Sequence, residues 1–243
     1  MYKNFSFLSL VAARNGSKGL RNKNVINLCG KPLVQWTIEA SKKSKIIDHT
    51  LVSTDSVKII NLSKKLNIDA PFKRPKHLCK STSSIEKVVK HSVDWVKKNI
   101  QTKFDFLILL QPTSPLRTSI DIDKAIKYYF KNSKNYSETM VSVYKAPRKV
   151  GWIMTRNKKY ISFALKKTRN RKVHLRQKVE NYFLPNGAIY FCNLNKFKGN
   201  FYTNKTFFYE MELENSVDID DKNDYEIAKK IMTKGLKNGS AKR

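Results

Sequence analysis

Acidic residues, cysteines and long apolar runs are all scarce in this sequence. Its 243 residues include 19 Asp and Glu against 49 Lys and Arg, which gives a formal net charge of +30 at pH 7. The three cysteines are widely spaced and have no Cys or His partner at ligand spacing, which argues against a disulfide framework and a zinc site. The longest apolar runs, such as residues 104–110, fall far short of the ~20 residues that span a bilayer. Since a secretory signal is also lacking, we expect a cytoplasmic protein.

The excess of positive charge is weak support for nucleic-acid binding. A strongly basic chain is the usual electrostatic footprint of that function. Here, however, lysine greatly outnumbers arginine and is spread over almost every helix-like segment, whereas a phosphate-binding stripe would be concentrated and richer in arginine. We therefore expect nucleic-acid binding to be weak and non-specific, although the positive field would attract small anionic substrates.

Runs that favour strands alternate with amphipathic runs that favour helices. The strand-like segments are residues 5–13, 47–54, 104–110, 139–144, 186–192 and 207–211. The helix-like segments are residues 32–44, 56–66, 121–130 and 221–234, together with a long helix whose apolar face begins at Ile85. This alternation predicts an α/β fold with a mostly parallel central sheet.

The regular pattern weakens between about residues 145 and 183. This stretch contains a candidate short hairpin followed by the very basic run 166–176. We interpret it as an insertion that serves as an oligomerisation arm. The remainder of residues 1–235 is predicted to form a single domain, followed by a small basic tail at 236–243.

The first segment that indicates chemistry is residues 8–24, LSLVAARNGSKGLRNKN. An apolar strand leads directly into a loop that contains Gly16 and Gly19 and four cations, Arg14, Lys18, Arg21 and Lys23. Glycines allow backbone N–H groups to turn toward an anion while the cations neutralise it, so the loop predicts a polyphosphate cradle. The spacing matches neither the P-loop pattern nor the dinucleotide fingerprint, which removes the main support for an ATPase or an NAD-dependent dehydrogenase.

The second segment, LLQPTSPLRT at residues 109–118, follows the most apolar strand. Gln111 offers an amide donor and acceptor at the strand end, while Thr113, Ser114 and Arg117 add hydroxyls and a cation. Loops at the carboxyl ends of parallel strands are where α/β proteins bind ligands, and this one suits a polyhydroxylated, anionic small molecule. The alternative is a proline-stiffened turn that ends in a helix N-cap.

The third segment is SVDIDD at residues 216–221. Asp218 and Asp220 alternate along an extended stretch and so point the same way, which predicts a Mg²⁺ site beside the polyphosphate loop. The alternative makes Asp220 or Asp221 only the N-cap of the last helix. Both interpretations can hold if Asp221 caps while Asp218 and Asp220 bind the metal.

The order of six segments resembles one enzyme family. ARNGSKGLRNKN, VSTD, RPKHLCKSTSS, LLQPTSPLRT, PNGAIY and SVDIDD, spread over about residues 10–227, resemble the CMP-sialic acid synthetases. The resemblance implies a Rossmann-like nucleotidyltransferase, usually dimeric, that joins CTP to the anomeric hydroxyl of a nine-carbon 2-keto acid sugar and releases pyrophosphate. N-acetylneuraminic, legionaminic and pseudaminic acids all remain open as the sugar.

The resemblance also implies roles for individual residues. The residues matching the nucleotide site are Arg14, Asn15, Ser17, Lys18, Lys23, Asn24, Arg74 and Ser84, with Lys18, Arg14 and Lys23 assigned to catalysis. Those matching the contacts to the acidic sugar are Gln111, Lys149, Arg176, Gln177 and Tyr190. Asp218 and Asp220 match the Mg²⁺ ligands. Three departures from the family pattern are Ser81, where Asp is frequent, Leu184, where Arg is frequent, and Arg21-Asn22, where Pro is common.

Two alternatives are carried forward. The first is the related enzyme that activates 3-deoxy-manno-octulosonate, although the KGLRNKN loop and the LLQPTSPLRT run favour the nine-carbon branch. The second is a basic nucleic-acid-binding protein that has kept a sugar-nucleotide fold. That protein would need a basic groove lined by aromatic residues, which this sequence does not visibly provide.

Overall fold

A computed structural model describes residues 1–16, 19–157, 160–164 and 181–237. Four residues with predicted roles, Ser17, Lys18, Arg176 and Gln177, lie outside these ranges. So do the basic run that completes the predicted insertion and the predicted tail beyond residue 237.

Ten strands and five α-helices follow one another along the described chain. The strands are β1 (Phe7–Ala12), β2 (Asn27–Leu28), β3 (Lys31–Pro32), β4 (His49–Ser53), β5 (Phe106–Leu110), β6 (Thr139–Lys145), β7 (Met154–Asn157), β8 (Tyr160–Phe163), β9 (Phe183–Asn193) and β10 (Thr206–Glu210). The helices are α1 (Leu33–Lys43), α2 (Val57–Lys65), α3 (Ile85–Asn99), α4 (Ser119–Asn132) and α5 (Lys222–Lys237). None of these helices is long and apolar enough to span a membrane.

Six strands form the central sheet in the order β10-β6-β9-β5-β1-β4. The pairs β1·β4, β1·β5 and β6·β10 are parallel, whereas β9 runs antiparallel to both β5 and β6. The prediction of a mostly parallel α/β sheet is therefore confirmed, with β9 as the one reversed strand of this sheet. β2 with β3 and β7 with β8 form separate antiparallel pairs, and the latter is the predicted hairpin.

The strand β9 begins earlier than the sequence predicts. The Pro185-Asn186-Gly187 run predicts a turn at the start of this strand, but the strand begins at Phe183 and all three residues lie inside it. The register against β6 shifts between Val141 and Val143, and Gly187 has a φ of +67°. An irregularity of this kind re-aims the backbone of a strand while the flanking ladder continues.

The core occupies both faces of the sheet because consecutive strand residues point in opposite directions. Phe7 and Val11 of β1 pack with apolar residues of α1, α2 and α4 on one face. Leu8 and Leu10 pack with the apolar face of α3 on the other. With both faces covered, the loops at the carboxyl ends of the parallel strands are left as the accessible edge.

Candidate active site

A cavity of about 310 Å³ lies where the carboxyl ends of β1 and β5 meet the loops that follow them. It is lined by residues from four segments that are distant in sequence: Ala12, Arg14, Lys23, Asn24, Arg74, Leu78, Lys80, Ser81, Ser83, Ile85, Val88, Gln111, Pro112, Thr113, Asp218 and Asp220. Eight of these residues were predicted from sequence to contact a nucleotide, an anionic small molecule or a metal: Arg14, Lys23, Asn24, Arg74, Gln111, Thr113, Asp218 and Asp220. The structure thus brings the cations, the amide and the carboxylates into one cleft.

The glycine-bearing loop and the acidic segment are in direct contact. The Lys23 Nζ donates to the carbonyl oxygen of Ile219 at 2.6 Å and to Oδ1 of Asp220 at 2.9 Å. The Lys23 side chain is only 10% exposed, whereas that of Asp220 is 79% exposed. At Gly19, an added Cβ would lie 2.4 Å from the Asp220 carbonyl oxygen, so no other residue fits without moving one backbone past the other.

The same loop is attached to the end of β4. The backbone N–H of Asn15 donates to Oδ1 of Asp55 at 2.6 Å. The Asn24 Nδ2 donates to the carbonyl oxygen of Arg14 at 2.8 Å, while Asn24 Oδ1 is buried and has no partner among the residues described. A buried acceptor beside a cavity is available to a donor of a ligand.

Arg74 is anchored at the adjoining wall of the cavity. Its guanidinium is buried and donates to Oγ of Ser53 at 3.0 Å and to the Ser53 carbonyl oxygen. Burial lowers the pKa of Arg74, and the Coulomb field of Arg14 lowers it further, while Asp55 acts in the opposite direction. An anionic ligand would relieve the repulsion between Arg74 and Arg14, so this wall is suited to bind one.

The carboxylates of the acidic segment 216–221 lie in two places, the cavity and the start of helix α5. Asp221 accepts from the backbone N–H groups of Asn223 and Asp224 at 2.7 and 3.0 Å, so it is the residue that caps α5. Asp218 and Asp220 both line the cavity. The predicted cap is therefore Asp221, and Asp218 and Asp220 as Mg²⁺ ligands stay a prediction.

Asp218 has a partly satisfied carboxyl group. Its Oδ1 is buried without a partner in the described ranges, and burial raises its pKa, with the Coulomb repulsion of Asp220 adding to that effect. In these ranges no group of three or more His, Cys, Asp or Glu side chains is arranged so that it could hold a metal ion by itself. Mg²⁺ commonly binds one or two carboxylates and takes its other ligands from phosphates and water. The donor set formed by Asp218 and Asp220 fits this ion beside a polyphosphate.

Gln111, Tyr190 and Asp218 come together around Gly187. The Gln111 Nε2 donates to the Tyr190 hydroxyl at 3.5 Å. A Cβ added at Gly187 would lie 3.0 Å from both Oε1 of Gln111 and Oδ2 of Asp218. Burial raises the pKa of Tyr190 well above its ordinary value, so the phenol stays neutral and can donate or accept. The predicted sugar-binding amide and the predicted metal ligand thus share one wall of the site.

Asn186 joins three of the segments that form this wall. Its Oδ1 accepts from Ser142 on β6 at 2.5 Å, and its Nδ2 donates to Oγ of Ser216 at 3.0 Å. Its carbonyl oxygen accepts from Oγ of Ser114 at 3.0 Å. The side chain is fully buried, so these bonds fix the position of the chain on either side of Gly187 and just before Asp218.

Two residues of the second sequence segment do not face the cavity. Arg117 and Ser114 were expected to offer a cation and a hydroxyl to a ligand, but neither lines the cavity. Arg117 is 2% exposed and donates through Nη1 to the carbonyl oxygens of Gln111 and Ala188 at 3.2 and 2.9 Å. The expectation was wrong because the chain turns after Pro115, so these side chains point back into the protein and bond to backbone.

Comparison with known proteins now identifies the family. The cytidylyltransferase family model matches residues 8–239. The chain belongs to the cytidylyltransferase family. It is 33% identical to the N-acylneuraminate cytidylyltransferase of Escherichia coli O18:K1:H7 over 93% of its own length, but it spans about half of that relative, 52%. It is 29% identical to the CMP-N,N'-diacetyllegionaminic acid synthase of Legionella pneumophila over 93% of this chain and 95% of that one.

A solved structure confirms the fold of this cytidylyltransferase-family chain. The structure of CMP:2-keto-3-deoxy-manno-octonic acid synthetase in complex with CTP superimposes with a TM-score of 0.68 at 15% identity, and the match covers 95% of this chain and 100% of the other. The predicted Rossmann-like nucleotidyltransferase fold is therefore confirmed.

Some predicted site residues of this family member do not line the cavity. Ser84 precedes α3 and Lys149 lies in the short 3₁₀ turn Arg148–Trp152, and neither lines the cavity. Sequence reasoning gave no role to Asp55, Asn186 or Gly187. Asp55 had a recognisable signal, because it is the acidic residue that ends the VSTD segment. Asn186 and Gly187 had none, because a Pro-Asn-Gly run is typical of an ordinary turn.

Proposed function

We propose that the protein is a CMP-sugar synthetase, which transfers CMP from CTP to the anomeric hydroxyl of a nine-carbon 2-keto acid sugar and releases pyrophosphate. The observation that carries this proposal is the convergence of Arg14, Arg74, Gln111 and the Asp218–Asp220 pair on one cavity. The names of the relatives support a sialic-acid-like sugar, with N-acetylneuraminic, legionaminic and pseudaminic acids as candidates.

The cations of the cavity are proposed to bind the triphosphate of CTP and neutralise its charge. Arg14 and Arg74 line it together, and Lys23 is held at its rim by Asp220. Lys18, within the same loop, is proposed to contact the phosphates as well. Because the sugar oxygen must attack the α-phosphorus in line with departing pyrophosphate, positioning and neutralisation of charge matter more than a nucleophilic side chain.

Asp218 and Asp220 would hold Mg²⁺ in this site. The ion supplies charge neutralisation on the phosphates and lowers the pKa of a hydroxyl that it contacts. We propose Oδ1 of Asp218 as one ligand, since it is buried and has no hydrogen-bond partner among the described residues, whereas Oδ1 of Asp220 is bonded to Lys23.

Gln111 and Tyr190 are proposed to orient the sugar. Their hydrogen bond fixes the Gln111 amide at the edge of the cleft, where it can bond to hydroxyl and N-acyl groups. Lys149, Arg176 and Gln177 are proposed to approach the sugar carboxylate from the insertion. An arginine there could bind the carboxylate through two parallel hydrogen bonds.

The insertion at about residues 145–183 is proposed to form the interface of a homodimer. Support comes from Trp152, Ile153 and Met154 beside the hairpin, which are 37%, 49% and 48% exposed. An exposed run of three large apolar residues is typical of an interaction surface. We also propose that the protein acts in the cytoplasm, where CTP is available.

The test is to incubate the purified protein with CTP, Mg²⁺ and a panel of 2-keto acid sugars, and to measure pyrophosphate release and the CMP-sugar mass. We expect turnover with one of the nine-carbon acids and none when UTP replaces CTP. Turnover with 3-deoxy-manno-octulosonate alone would identify the rival cytidylyltransferase instead. Absence of turnover with every sugar would contradict the proposal.

A further inference from the structure

One peptide group of the glycine-bearing loop, between Arg14 and Asn15, is held at both of its polar atoms. The carbonyl oxygen of Arg14 accepts from Nδ2 of Asn24 at 2.8 Å, and the N–H of Asn15 donates to Oδ1 of Asp55 at 2.6 Å. The oxygen and the hydrogen of a trans peptide lie on opposite sides of one plane, so these two bonds fix the orientation of that plane. They therefore restrict the direction in which the Arg14 side chain, which lines the candidate active-site cavity, leaves the backbone.

The two bonds connect the loop to different parts of the fold. Asn24 lies in the 3₁₀ turn Lys23–Val25, at the far end of the same loop. Asp55 follows β4, the strand that pairs with β1 at one edge of the central sheet, and is 40 residues away from Asn15 in sequence. The bond from Asp55 thus attaches a loop that carries a cation of the cavity to a strand of the central sheet.

Asp55 is half-buried and does not line the cavity itself. Burial lowers the pKa of Arg74, and the Asp55 carboxylate opposes this shift. Burial and the same carboxylate raise the pKa of the Cys79 thiol, which forms a side-chain hydrogen bond with Asp55. A carboxylate this close to a site for a triphosphate would repel the ligand. Its contribution to binding must therefore come through the groups that it holds in place.

Two other aspartates make the same kind of bond at the opposite end of β1. Oδ2 of Asp48 accepts from the N–H of Phe7 at 2.9 Å, and Oδ2 of Asp105 accepts from the N–H of Ser6 at 2.9 Å. Both bonds lie at the amino end of β1, whereas the cavity lies at its carboxyl end. Of the three aspartates, only Asp55 acts at the edge of the sheet that carries the cavity.

We propose that Asp55 is a positioning residue for CTP, which holds the Arg14–Asn15 peptide so that Arg14 faces the triphosphate. This inference rests on the proposed function. Without the bond, the loop would occupy the binding arrangement for a smaller fraction of the time, and the apparent Kd for CTP would rise in proportion. Hydrogen bonds to a charged group are strong enough that the loss of this one should weaken CTP binding roughly 10-fold or more.

The test compares three variants by calorimetric titration with CTP and Mg²⁺ in the absence of sugar. Asp55→Ala should bind CTP roughly 10-fold more weakly than wild type. Asp55→Asn keeps an oxygen that can accept from Asn15 and removes a charge that repels the ligand, so its Kd should stay within about threefold of wild type. Asp48→Ala loses a comparable bond at the other end of β1, so its Tm should fall to a similar extent while its affinity for CTP is retained.

Three results would overturn the proposal. The first is wild-type affinity in Asp55→Ala. The second is equal weakening in Asp48→Ala, which would show that lower stability is the cause. The third is equal weakening in Asp55→Asn, which would show that the negative charge matters and the acceptor does not.

Amide hydrogen exchange of Asn15, measured by NMR in wild type without CTP, tests the bond even if Asp55→Ala does not fold. We expect exchange at least about 10-fold slower than for an unstructured amide, because the N–H is bonded to Asp55. An unprotected amide would refute the role of Asp55. Failure of wild type to bind CTP would instead refute the proposed function, and the exchange rate would still decide whether Asp55 holds the loop.

Discussion

The substitution Gly187→Ala tests whether the wall shared by Gln111 and Asp218 matters for function. Gly187 has a φ of +67°, and an added Cβ would lie 3.0 Å from both Gln111 Oε1 and Asp218 Oδ2. Contacts at this distance are tighter than ordinary van der Waals separation, so both side chains must move by a few tenths of an ångström. The substitution therefore strains the backbone and displaces two proposed ligand-binding groups at once.

The two effects have separable magnitudes. A non-glycine residue in the left-handed region costs about 1–2 kcal/mol, which lowers Tm by roughly 2–8 °C for a protein of this length. A misplacement of about 1 Å in an active site can reduce rate by about 100-fold, so a shift of a few tenths should reduce it by roughly 3- to 10-fold.

Gly199→Ala provides the matched control. Gly199 lies in the loop between β9 and β10, has a φ of +80° and would place its Cβ with nothing within 4 Å. It should therefore lose stability to a similar extent as Gly187→Ala. It should not disturb Gln111 or Asp218, because neither side chain is near it.

The assay compares the two variants with wild type for Tm, for pyrophosphate release with CTP and the active sugar, and for the Mg²⁺ concentration that gives half-maximal rate. We expect similar losses of Tm, but a rate about 3- to 10-fold lower and a weaker Mg²⁺ response only for Gly187→Ala. Equal activity of the two variants at equal stability would refute the reasoning that this wall positions the ligands.

Three further predictions concern the loop contact, the buried carboxyl group and the surface charge. Gly19→Ala should lower CTP affinity at least 10-fold, measured by calorimetry, because its Cβ would overlap the Asp220 backbone, whereas Gly235→Ala, with open space around it, should not. Asp218→Asn should abolish Mg²⁺-dependent turnover and raise Tm at pH 7. Burial raises the pKa of Asp218 in the folded protein above its value of about 4 in the unfolded chain. Wild type therefore loses stability as the pH rises from about 4 through the folded-state pKa, whereas the Asn variant has no group that ionises there and keeps its stability. Duplex DNA should bind only weakly, and a nanomolar dissociation constant at physiological salt would contradict the view that the charge is diffuse.

Local pattern was sufficient to predict most of the secondary structure. The apolar run ending at Leu110 is the fully buried strand β5, and the helical spacing after Ile85 produced α3. These segments are long and consistently patterned, so the hydrophobic face alone identifies them. The sequence also predicts that the glycine loop lies beside the acidic segment, and the hydrogen bond from Lys23 to Asp220 confirms this contact.

Sequence could not show which polar residues support the site and which face the ligand. Arg117 and Gln111 lie in the same short segment and both carry donors, yet one bonds to backbone inside the protein while the other lines the cavity. Asn186 similarly gives no local signal, because its partners Ser142 and Ser216 lie 44 and 30 residues away. Such assignments depend on tertiary packing, which a local motif does not contain.

The direction of β9 decides whether the candidate site can form. β5 and β9 pair with Leu109 opposite Tyr190, so the start of β9, with Gly187, lies at the same edge of the sheet as Gln111 at the end of β5. A parallel β9 would instead bring its other end, at Asn193, to that edge, and Gly187 would be carried to the far side of the sheet. The contact of Gly187 with Gln111 and Asp218 therefore requires the one reversed strand. Hydrophobic periodicity identifies a strand but not the direction in which it pairs with its neighbours. The antiparallel direction of β9, on which this wall of the cleft depends, therefore could not be predicted from periodicity.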